Sequence, residues 1–195
     1  MQSKKYLPVL LLAGLALPVF AQTAQQDMQR DINQQQRIES GLKSGALSTG
    51  EAARLEKEQS RIDRVESNAL RDGSLNAAER QRIDRMQDRA SQDINAAKHN
   101  AVVGNPQSAS SQRMQADVAR DVNQEQRIKN GLQDGSLTKR EASRLERGEA
   151  RVDNREARAG RDGHVGAGEQ QRIQNRENRM SGRIHQQRHD GQHRG

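Results

Sequence analysis

Apolar positions in this chain fall on narrow stripes of helical period. Leu55, Ile62, Val65 and Ala69 share one face, Ile83, Met86, Ala90 and Ile94 another, and Met28, Ile32 and Leu42 lie close to a third. Residues three, four and seven apart meet on one side of a helix, so this spacing predicts amphipathic helices. They are expected near 24–44, 48–71, 76–98, 111–133, 138–161 and 167–189. The intervening Arg, Gln, Asp and Glu are assigned to solvent-facing sides, where helical spacing permits ion pairs such as Glu51 with Arg54.

The breaks between stripes share one pattern, clearest in Leu132-Gln133-Asp134-Gly135-Ser136-Leu137-Thr138-Lys139-Arg140-Glu141. Gly45, Gly73, Gly135 and Gly163 stand where a helix ends in a left-handed residue, which glycine reaches at least cost. Ser48, Asn76 and Thr138 follow as N-caps. Glu51, Glu79 and Glu141 stand at the third helical position and complete capping boxes. Gly166 with Glu169 is a weakened fourth copy. Four such turns imply six helices.

A shift of ninety residues superimposes the two halves. Asp31, Arg37, Gly41, Leu47 and Glu51 recur as Asp121, Arg127, Gly131, Leu137 and Glu141. The expected architecture is all-α: two repeated helix-turn-helix-turn-helix units at 22–98 and 111–190, each a three-helix bundle or a set of extended helical hairpins. Residues 99–110, with Gly104, Pro106, Ser108 and Ser110, read as a linker, and 191–195 as a flexible tail.

Composition adds a location. Lys4 and Lys5 precede the apolar run Leu7 to Val19, and Val19-Phe20-Ala21 is a small-residue cleavage motif. Residues 1–21 therefore read as a signal peptide, with cleavage following Ala21 and delivery to the periplasm or outside. No later stretch could span a membrane. The remainder would carry no aromatic residue, since Tyr6 and Phe20 leave with the signal, and it would keep only 8 Leu, 8 Ile and 7 Val. A core this thin makes self-association or a protein partner an expectation.

Candidate chemistry is sparse. His185, His189 and His193 at spacings of four would sit on one helical face, a set that can hold zinc, copper or nickel weakly. Arg172, Arg176, Arg179 and Arg183 form a basic stripe suited to an anionic envelope component such as a lipopolysaccharide phosphate. Asp72-Gly73-Ser74-Leu75-Asn76 with Glu79 mimics part of an EF-hand loop, but Leu70 stands at the loop's third position, where an oxygen ligand is needed. No catalytic arrangement is present in the sequence, and without aromatics or a reader motif nucleic acid is a poor fit.

Gln36-Arg37-Ile38 through Glu56, repeated as Gln126-Arg127-Ile128 through Glu146, resembles uncharacterised exported proteins of Gram-negative bacteria. That resemblance implies export and a duplicated helical build. The segment Leu132 to Glu141 also resembles the SHOCT helical hairpin, which implies oligomerisation and protein contacts; Ala142 replaces its usual aromatic. The reading that follows is a non-enzymatic periplasmic helical-repeat protein working through protein–protein contacts, in envelope stress or as a chaperone-like binder. Metal buffering through the His-rich C-terminus and polyanion binding through the arginine stripe are the alternatives. No cofactor beyond a weakly held divalent transition metal is expected.

Overall fold

The helical stripes and turns resolve into six α-helices in a computed structural model that describes residues 19–71 and 75–191. They are α1 (Val19–Ser44), α2 (Thr49–Leu70), α3 (Ala77–Lys98), α4 (Ala109–Asp134), α5 (Lys139–Ala159) and α6 (Ala167–Arg188), with a 3-10 turn at Gly160–Asp162 between the last two. No strand occurs among the described residues, and no helix there is long and apolar enough to cross a membrane. Residues 1–18, which hold most of the expected signal peptide, lie outside the described residues, as do Gly73 and His193.

The turns follow the capping chemistry. Gly45, Gly135 and Gly163 adopt φ of 78°, 80° and 84°. Ser48, Asn76 and Thr138 each accept from the backbone N–H of Glu51, Glu79 and Glu141, and each of those carboxylates accepts from the cap's own N–H at 2.8–3.0 Å. At the fourth turn Glu169 still accepts from the Gly166 N–H at 3.0 Å, but Gly166 has no side chain to answer. Leu47 and Leu137 tuck beneath their turns, their N–H groups bonding Gly41 and Gly131 carbonyls at 2.9 and 2.8 Å.

The assembly of these helices differs from two self-contained bundles. The most extensive helix contact joins α2 to α5, and the next joins α1 to α4, both across the halves. Small residues bring α2 and α5 together: the Ser60 hydroxyl donates to the Ala150 carbonyl at 2.7 Å, and Ser67 and Ser143 each donate to the other's carbonyl at 2.8 and 2.7 Å. Opposed positions run Ser60 with Ala150 and Ser67 with Ser143, so the two helices are antiparallel. On the outside, α3 packs on α1 and α2 while α6 packs on α4 and α5. The halves also share details: Arg37 donates to Ser91 and Arg127 to Ser181, both at 2.6 Å.

Two apolar clusters close the ends of this body. One contains Met28, Leu70, Ile83, Ile128, Leu137 and Ile184, the other Leu42, Leu55, Ile94, Met114, Val165 and Ile173. Each draws on both halves, which is why neither half could bury its stripe alone. The middle turns of the helices lie between these plugs, and their inward side chains are mostly not apolar.

Candidate metal centre

The interior between the plugs is acidic. Along α2, Glu56, Gln59, Asp63 and Glu66 follow one another at spacings of three, four and three, and Glu146, Glu149, Asp153 and Glu156 do the same along α5. Asp27 and Asp31 on α1, Asp117, Asp121 and Glu125 on α4, and Glu177 on α6 face them. All are buried, half of them to complete exclusion from solvent, and no Lys or Arg is buried among the described residues. This overturns the assignment of these acids to solvent-facing, salt-bridging sides. A helical stripe defines which residues share a face but not whether water lies beyond it.

The halves use this shared acid set differently. At three matched positions the first half has an amide and the second an acid: Gln35 against Glu125, Gln59 against Glu149, and Gln87 against Glu177. The first-half amides act as donors. Gln87 Nε2 reaches Asp31 Oδ1 at 2.9 Å, Glu66 Oε1 at 3.0 Å and the Asp27 carbonyl at 3.0 Å. Gln59 donates to Gln34 at 3.0 Å and Gln35 to Glu56 at 3.0 Å.

An acid at each matching position removes that donor. No N–H donor reaches either carboxylate oxygen of Asp121, Glu149, Asp153 or Glu156, whose nearest hydrogen-bonding neighbours are other carboxyls (Glu156 beside Asp121, Asp153 beside Asp63), and both polar atoms of the Gln124 amide, the counterpart of Gln34, lack a partner. Glu177 has no hydrogen bond either, although Arg120 Nη1 stands 3.0 Å from its Oε2. The counterpart Arg30 pairs instead with Asp84 and Asp88, positions that have become Gln174 and Asn178.

Two groups of carboxylates converge around Asp121 of this donor-poor half, one of them including an acid from the other half. Glu56 from α2, Asp121 from α4 and Asp153 from α5 each bring an oxygen within 4.8 Å of the others. Asp121, Glu156 from α5 and Glu177 from α6 form a second group on the same criterion. Such spacing is about twice a calcium–oxygen distance, so one ion could touch all three oxygens of either group.

Burial is the first cause of the acids' raised pKa values, and like charges nearby add to it. Glu56 and Glu177 are pushed up to about 7, and Asp117, beside Glu177, to about 8. Glu156 rises well above the ordinary range through burial and then the charges of Glu56, Asp117 and Glu177. Asp121 rises through burial and then Glu156, Asp153 and Glu149. Two occupants can relieve this field: protons shared between carboxyls, or a multivalent cation.

The residues singled out from sequence fall elsewhere. His185 and His189 lie exposed at the end of α6, with ring centroids 4.2 Å apart and the His189 Nδ1–H directed at the His185 carbonyl at 2.7 Å. Gly45, Gly135 and Gly163 serve the turns, as do Glu51, Glu79, Glu141 and Glu169. Of the arginine stripe, Arg176 and Arg179 lie near Arg151 and Arg155 of α5, and Arg183 lines the same groove beside Gly148 and Met180. Arg172 is not part of that groove. No protein-family model, curated protein sequence or solved structure matches this chain.

Proposed function

We propose that this protein is a non-enzymatic, exported binding protein for hard multivalent cations, held in the acidic interior between α2, α4, α5 and α6. The observation that carries the reading is the set of buried, unpartnered oxygens of Asp121, Asp153 and Glu156, facing further carboxylates with no buried base nearby. An ionised carboxylate in such a place costs several kcal/mol unless a proton or cation compensates it. An all-oxygen donor set favours calcium or manganese over zinc, copper or nickel, which take nitrogen or sulfur ligands readily. The metal role thereby moves from the histidine tail to the interior.

Thermal unfolding of chelator-stripped protein tests this. Calcium or manganese at a hundred times Kd should stabilise the fold by about 2.7 kcal/mol at neutral pH. His185→Ala with His189→Ala should leave that gain unchanged, and Asp121→Asn should abolish it. No stabilisation by any hard cation at millimolar concentration would refute the reading.

One observation favours a second, compatible reading, an anion groove between α5 and α6. In the first half the equivalent groove is lined by Glu58, Arg61, Met86 and Arg89; in the second those positions are Gly148, Arg151, Arg176 and Arg179, with Arg155 replacing Val65. Burial, and then the like charges of Arg155, Arg179 and Arg151, lower the Arg176 pKa. Restoring the first-half residues with Arg155→Val and Arg176→Met should weaken salt-sensitive binding to lipopolysaccharide. Unchanged binding would remove the groove from consideration.

A further inference from the structure

We infer that the cations bind as a pair bridged by the carboxylate of Asp121, four of the five ligands coming from the second half and Glu56 from the first, with no matching pair around Asp31. The inference rests on the cation-binding reading and specifies its site. Asp121 is the one residue common to both converging groups: with Glu56 and Asp153 it faces α2, and with Glu156 and Glu177 it faces α6. It is completely buried and no N–H donor reaches either of its oxygens; its hydrogen-bonding neighbour is the Glu156 carboxyl, a contact that a cation between the two would replace. Asp153 and Glu156 are three apart on one helix and serve one group each, which sets the two positions side by side along α5.

Charge favours two ions over one. Five carboxylates line the pair of positions, each ionised only when a cation displaces its proton, and Arg120 already stands against Glu177. Two divalent ions together with that guanidinium neutralise the five. A single divalent ion would leave uncompensated negative charge in a region closed by apolar plugs at both ends.

The first half shows why the pair is not duplicated. The counterparts of Asp121, Glu156 and Glu177 are Asp31, Glu66 and Gln87, and there the Gln87 amide nitrogen itself lies between the two carboxylates, donating to both. An internal donor occupies the place a cation would take. Among the described residues, no trio of potential ligands converges around Asp31 as the two groups do around Asp121.

Electron paramagnetic resonance of manganese-titrated protein tests the pairing, because ions sharing one carboxylate couple magnetically and isolated ions do not. The expected result is two Mn2+ per chain with an exchange-coupled spectrum. Glu177→Gln should leave one uncoupled ion, and so should Asp153→Asn, each variant retaining its helical circular dichroism because a buried charge has been removed. Gln87→Glu with the second half intact should recruit additional manganese. One ion, or two without coupling, would overturn the bridged pair while leaving cation binding standing. No binding at all would overturn both.

Discussion

At the scale of single residues, the exchange of an amide for an acid decides what the interior does. Gln59 supplies Gln34 with a donor, whereas Glu149 cannot supply Gln124, and both groups are left buried and unpartnered. Glu149→Gln should therefore recover a hydrogen bond and remove a buried charge. Metal-free protein carrying it should gain about 1–3 kcal/mol at neutral pH, measured by urea denaturation. These positions were visible in the sequence as departures between halves, but a Gln-to-Glu change on a helix face reads as surface variation. The signal that could have found them is coincidence: of the acids that recur at matched positions in both halves, five lie along helix faces rather than at the turns, Asp27, Asp31, Glu56, Asp63 and Glu66 with Asp117, Asp121, Glu146, Asp153 and Glu156. A solvated surface has no reason to hold its acids so strictly.

At the scale of elements, helices and turns were legible because their causes are local. Capping boxes at Ser48, Asn76 and Thr138 and left-handed glycines at Gly45, Gly135 and Gly163 lie where the sequence pattern puts them. The pairing of α2 with α5 was not legible, since contact between distant helices depends on small residues matched across the chain. Gly160 illustrates the difference. As the counterpart of Leu70 it reads as decay of a turn, yet a β-carbon there would lie 2.8 Å from the Ala53 β-carbon and 2.6 Å from Met114 Cε. The glycine is demanded by the approach of α2. Gly160→Ala should destabilise the protein by about 1–3 kcal/mol, read by chemical denaturation, because Ala53 cannot move without its helix.

At the scale of the whole molecule, the apolar clusters act as plugs and the acids between them make stability depend on pH and ions together. Six of these acids have folded-state pKa values raised from 3.8 or 4.5 to between about 6 and about 8: Asp27, Asp31, Glu56, Asp117, Glu146 and Glu177. The folded chain then binds more protons than the unfolded one. The resulting stability is fully present below the ordinary carboxylate values and is lost as pH rises through the raised ones. Metal-free protein should accordingly melt at a higher temperature at pH 5 than at pH 8, the reverse of common acid denaturation. Calcium or manganese should restore the loss at pH 8, and a flat profile for the metal-free protein would argue against a closed acidic interior.

The most direct measurement is anomalous X-ray diffraction from crystals soaked in manganese. Two peaks flanking Asp121 are predicted, one among Glu56, Asp121 and Asp153 and the other among Asp121, Glu156 and Glu177, with none between Asp31, Glu66 and Gln87. Manganese confined to His185 and His189, or an interior without any peak at saturating metal, would contradict the account.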